Sequence, residues 1–147
     1  MLRAILHDLR SPLTAEYAVI AAISGVRTSR ILRLERNAAG KALRGPMTEV
    51  VFTDVLAALG WSLRPLSWYI PPISFKEFVG LHGYLLVKGP VIARMKNHMA
   101  VIEGRSFADR AHPMPLPLDD APSGWRVVDA FSVHPVAADD ELPHRGS

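Results

Sequence analysis

The sequence predicts an α+β domain in which helices come first and an antiparallel sheet follows. Three observations lead there. Apolar residues recur at helical spacing between residues 1 and 60. After Gly83, short runs rich in Val, Ile and Ala take over, bounded by Gly, Pro and Asn. Residues 97–109 also have the layout of a hairpin: an apolar strand over 98–102, a Glu103-Gly104 connection of the two-residue kind that hairpins favour, and a second strand over 105–108. A chain of 147 residues, 49% hydrophobic, is enough for one domain with one sizeable core and too short for two.

The elements follow in order. Leu2, Ile5, Leu6 and Leu9 fall at i, i+3, i+4, i+7 and predict a short amphipathic helix stopped before Ser11-Pro12. Thr14 offers an N-cap oxygen to a helix over 15–24, apolar almost all round and closed by Gly25, which identifies it as the buried central helix. Residues 28–37 predict a basic helix with Ile31, Leu32 and Leu34 inward and Arg30, Arg33 and Arg36 outward, and residues 40–46 a loop. Residues 47–59 predict a helix with Met47, Val50, Val51, Val55 and Leu59 on its inner stripe. Residues 61–68 read as a strand that Pro65 makes short or confines to an edge, and 69–73 as a stiff extended connector.

Ser74-Phe75-Lys76-Glu77 has the form of a capping box, opening a short helix to about His82. Residues 84–87 then predict a strand, Gly89-Pro90 a turn, and 91–95 either a strand continuation or a loop. Beyond the hairpin, Pro113, Pro115, Pro117 and Pro122 predict a stiff loop, 125–133 a closing strand, and 137–147 a polar tail that packs little.

Composition limits the chemistry. The absence of cysteine excludes disulfides, thiolate zinc sites and thiol catalysis. The apolar run 17–23 is far shorter than the roughly 20 residues a membrane-spanning helix needs, and the N-terminus lacks the pattern of a secretion signal, so a soluble protein is expected. The net charge of +3 divides unevenly: residues 1–50 hold eight Lys/Arg against four Asp/Glu, and residues 101–147 hold four against eight. The basic front is suited to an acidic partner, although no nucleic-acid motif is present and nucleic acid is not expected. His82, His98, Asp109 and His112 lack the His-Glu-x-x-His spacing of a zinc site, so neither a metal nor a cofactor is expected.

The candidate site is the hairpin itself, where His98 and Asp109 would lie side by side as imidazole and carboxylate. With the blocks 18–25, 74–79, 84–87 and 97–109 in this order, the chain resembles the papain-like cysteine peptidase fold. More narrowly, it resembles the small cysteine-peptidase-like proteins of tailed phages and prophages. In those proteins a Cys opens the central helix, a Gly ends it, a short helix precedes a Tyr-Leu-Val strand, and a Gly-His-Ala-Val-like hairpin leads to an Asp. The resemblance covers residues 13–110, implying a papain-like core over 1–112 and a loop, closing strand and tail of the same domain over 113–147.

It also places the family's nucleophile near Ala15, where the chain reads Thr14-Ala15-Glu16. A thiolate works because a neighbouring imidazole and a helix N-terminus lower its pKa, and alanine has nothing to ionise. No Gln or Asn stands just before the helix to supply an oxyanion donor; Ser11 and Pro12 are there instead. The resemblance therefore implies a non-catalytic pseudoenzyme with a vestigial His98–Asp109 dyad. Its expected role is a protein-protein interaction or structural component of a phage or prophage particle, found in the virion or the host cytoplasm. Two alternatives are a hydrolase using Thr14 as nucleophile and an intracellular protein that engages a host partner through its basic front. Trp61, Trp68, Tyr69, Arg30 and Arg33 are the candidate contact residues, since bulky aromatics and arginine are enriched at interfaces.

Overall fold

A computed structural model describes residues 1–40, 47–66, 72–86 and 88–136, with side chains omitted at 84–86. Within them the chain is α+β: four helices and a seven-stranded antiparallel sheet. The helices are α1 (Ala15–Ser24), α2 (Thr28–Ala39), α3 (Glu49–Ala58) and α4 (Phe75–Leu86). The strands are β1 (Trp61–Pro65), β2 (Ile73–Ser74), β3 (Val91–Met95), β4 (His98–Glu103), β5 (Ser106–Asp109), β6 (His112–Pro117) and β7 (Arg126–Pro135). They run in the order β1-β7-β3-β4-β5-β6, with β2 also on β7.

Helix α1 forms where it is predicted. Thr14 accepts from the Tyr17 N–H, and Gly25, at φ 75°, ends the helix by donating to the Ala21 carbonyl. A side chain at Gly25 would also meet the Arg3 stem, 2.6 Å from the position of a Cβ. Residues 18–22 are fully buried, because α1 lies between the sheet and α2 and has no solvent face.

The first residues are not the helix that their apolar spacing predicts. They form neither helix nor strand, with Leu2 and Ile5 buried and Leu6 half exposed. Their amides look outward to other elements: Arg3 N–H donates to the Ala22 carbonyl and Ile5 N–H to the Pro113 carbonyl. The same segment supplies the cap that α2 lacks. Arg27, at the N-cap of α2, makes no side-chain cap bond. Asp8 accepts from the Ser29 N–H at 2.8 Å and the Ser29 hydroxyl at 2.7 Å, and these bonds hold its carboxyl below the ordinary range.

On α2, Ile31 is buried, Leu32 and Leu34 are partly so, and Arg30 and Arg33 are exposed as predicted; the buried Glu35 is not foreseen. On α3 the inner stripe is shifted. Val50 is 71% exposed, and Phe52 and Leu56 take the inner places beside Val51 and Val55. The 40–46 loop lies outside the described residues apart from Gly40, as does the 69–73 connector apart from Pro72 and Ile73.

Strand β1 is short and at one end of the strand order, as Pro65 requires. At Ser74 the hydroxyl accepts from the Glu77 N–H at 3.1 Å and bonds the Glu77 carboxylate rather than receiving it on its own amide. Residues 84–86 continue α4 instead of forming the predicted strand; the irregularity falls at His82, where the backbone leaves helical angles and the helix kinks. Residues 91–95 are a strand, and a central one, between β4 and β7. The β4–β5 connection is Gly104-Arg105, one residue later than predicted, with Gly104 at φ 62°.

The proline-rich stretch is a strand rather than a loop. Pro113, Pro115 and Pro117 alternate, so all three lie on one side of β6. That side faces away from β5, since Leu118 N–H bonds Arg105 while the Pro113 carbonyl bonds Ile5. No ladder donor is lost. Strand β7 covers the predicted closing strand but sits inside the sheet, pairing with β1, β2 and β3, so the core depends on residues beyond 112. The polar tail lies outside the described residues.

The sheet separates two apolar clusters. Ile92, Met99, Val101, Ala108 and Val133 pack with α1, α2 and α3 on one face. Val91, Ala93, Ala100, Ile102, Phe107, Val127 and Ala130 pack with Phe75 and Phe78 of α4 on the other.

Candidate functional site

Alternation along β4 puts His98 on the face of Ala100 and Ile102, opposite the face that α1 covers. Its ring lies 5.2 Å from that of Trp125, which also meets Phe75 and Phe107 edge-on. The structure brings His98 and Asp109 together: Nε2 of His98 is 2.9 Å from Oδ2 of Asp109. Asp109 is 1% exposed and carries two further bonds on Oδ1, from Nδ1 of His112 at 2.7 Å and from the Ala111 N–H at 3.1 Å. Burial alone would raise the Asp109 pKa. The hydrogen bonds and charge of the two histidines outweigh it and hold the carboxyl below its ordinary value. The carboxylate in turn draws the proton of a neutral His98 to Nε2, leaving Nδ1 as the basic nitrogen.

His112 is the partner that sequence reasoning missed. Its spacing of three from Asp109 across a tight turn was the available signal. Of the four residues considered as a metal set, His98, Asp109 and His112 are joined by hydrogen bonds, while His82 packs on Phe78 at the α4 kink. Among the described residues no group of three or more His, Cys, Asp or Glu is placed to hold a metal ion.

A groove of 750 Å³ opens where the N-terminus of α1 meets the β3–β4 turn. Thr14 and Ala15 line it from the helix, and Met95, Asn97 and His98 from the hairpin. His98 pairs with Met95 at the last step of the ladder, so the end of the hairpin reaches the groove although its side chains belong to the far face. The Thr14 hydroxyl is the cap of α1, and Ala15 is buried. His98 thus touches the edge of the groove, but its ring, bonded to Asp109, lies on the sheet face opposite α1, so the imidazole is not set over the helix N-terminus as the resemblance requires.

The floor of the groove holds a second polar pair. Tyr17 donates its hydroxyl to Oε1 of Glu35 at 2.7 Å, and both residues are at least nine-tenths buried. Burial, reinforced by that bond and by the carboxylate charge, raises the Tyr17 pKa well above the usual phenol range. On the hairpin side Arg94 pairs with Asp129 across β3 and β7.

Elsewhere, Ser132 Oγ lies 2.8 Å from Nε2 of His134, whose pKa is lowered by burial and by Arg64. No carboxylate bonds this histidine among the described residues. Of the predicted contact residues, Trp61 packs partly buried against the α1 cluster, Arg30 and Arg33 are exposed on α2, and Trp68 and Tyr69 lie outside the described residues.

No protein family, curated protein or solved structure matches this chain. None of the helices is long and apolar enough to cross a membrane among the described residues.

Proposed function

We propose that this chain is a non-catalytic, papain-like interaction module, and that it serves as a structural or accessory protein of a phage or prophage particle. One observation carries the first part: Ala15, at the buried start of α1, offers nothing to ionise, and the complete His98–Asp109 pair lies on the sheet face that α1 does not cover. A general base and its orienting carboxylate accelerate nothing without a group to deprotonate. Thr14 is the neighbouring hydroxyl, and it caps the helix by accepting the Tyr17 amide. Asp109, with its two histidines and the Ala111 amide, is satisfied as a structural buried carboxylate must be. The particle assignment rests on the resemblance to phage proteins.

The test is turnover of peptide, isopeptide and peptidoglycan substrates by the wild-type protein and by His98→Ala. No hydrolysis above the buffer rate is expected from either. Turnover by the wild type that disappears in His98→Ala would establish the Thr14 hydrolase instead. Detection in purified particles places the module in the virion, and its capture with a host protein alone would favour the intracellular alternative.

A further inference from the structure

We infer that the groove beside α1 recognises a lysine or arginine side chain, presented by an apolar segment of a protein partner, with Glu35 as its counter-ion. The inference rests on the interaction-module reading and names what its groove holds. Glu35 is 6% exposed and lines the groove from α2. A carboxylate this deep is costly unless its charge and its lone pairs are met, and an ionised one has about four acceptor sites. Here one donor serves it, the Tyr17 hydroxyl at 2.7 Å, and no cation pairs with it among the described residues. The remaining acceptor capacity opens into the groove.

The surroundings select for charge and shape. Glu16, half-buried on the α1 rim, adds a second negative charge beside Tyr17. Across the groove Arg94 is compensated by Asp129, while Arg110 lines the hairpin rim with no carboxylate paired to it among the described residues, so that rim repels a cation and leaves the Glu16–Glu35 end to attract it. Leu32, Met47 and Met99 form apolar walls between the two rims. Unbranched methionines adapt to an aliphatic stem, and the long stem of lysine or arginine buries well on such walls.

The probe is a short acetylated and amidated peptide, Leu-Arg-Leu, compared with the same peptide carrying citrulline, which keeps the shape and lacks the charge. Binding is followed by amide chemical shifts, and peptide integrity by mass spectrometry. The arginine peptide is expected to bind about tenfold tighter than the citrulline peptide, with shifts centred on α1, α2 and the β3–β4 turn. Glu35→Gln, which can still accept the Tyr17 hydroxyl, is expected to erase that preference, whereas Tyr17→Phe keeps it.

Equal binding of the two peptides, no binding of either, or a preference that survives Glu35→Gln would overturn the inference. A Glu35→Gln protein that melts lower but binds unchanged would do the same, by reducing the pair to a structural role. Cleavage of a bound peptide would leave the recognition site standing and remove the non-catalytic reading. Absence of both binding and cleavage removes the site alone.

Discussion

The two faces of the sheet are held by different physics. On the α1 face the contact is apolar throughout, from residues 18–22 of the helix to Met99, Val101 and Ala108 of the hairpin. On the α4 face a buried carboxylate is bonded to two imidazoles, and Trp125 and Phe107 pack on the imidazole rings. Burial of aliphatic surface depends little on pH, whereas a carboxylate with a depressed pKa links folding directly to protons. One strand, β4, thus turns the apolar Met99 and Val101 toward α1 and the hydrogen-bonded His98 toward the other face.

Substitutions can separate these contributions. The largest effect is expected on the apolar face, where Ile20 is fully buried in α1. Ile20→Ala removes aliphatic volume that close neighbours cannot refill, and should cost about 2–5 kcal/mol in urea unfolding, equally at pH 7 and pH 5.

Asp109→Asn comes next. It keeps the shape but loses the charge that two histidines serve, for about 1–3 kcal/mol at pH 7. The folded carboxyl titrates below its ordinary 3.8, so its contribution is complete above that value and is lost as the pH falls through the lower folded pKa. Wild type and Asp109→Asn should therefore converge in stability in acid, while Ile20→Ala stays apart from both. A difference between wild type and Asp109→Asn that persisted undiminished to pH 2 would assign the loss to packing. The smallest effect is expected at Thr14→Ala, where the cap bond to Tyr17 is long at 3.4 Å; about 1 kcal/mol or less should be lost, independent of pH.

The two faces also differed in how far the chain foretold them. Helix α1 was legible because its cap, its apolar run and its terminal glycine all agree, and no tertiary contact competes with them. The His98–Asp109 contact outlived a wrong register: the connection falls one residue later than predicted, which moves the pairing by two residues and so keeps both side chains on the same face.

Elsewhere local pattern lost to tertiary partners. Leu2, Ile5 and Leu6 have helical spacing, yet the amides of Arg3 and Ile5 find carbonyls on α1 and β6 and no helix forms. Residues 84–86 are apolar enough for a strand but follow the α4 register through the kink at His82. Val50 was placed inside because the i, i+3 count from Met47 ignored that the helix begins only at Glu49. Glu35 was invisible, since a carboxylate among exposed arginines reads as surface until Tyr17, eighteen positions earlier, is seen to reach it.

The three alternating prolines of β6 set a boundary on how copies of this protein can meet. A strand seeking to extend the sheet beyond β6 would find acceptors there but no N–H groups at Pro113, Pro115 and Pro117, and one of those acceptors is already taken by Ile5. Such an edge resists the strand-to-strand stacking that drives aggregation. At this end of the sheet that protection leaves side-chain surfaces, and not the backbone edge, to decide what the strand meets.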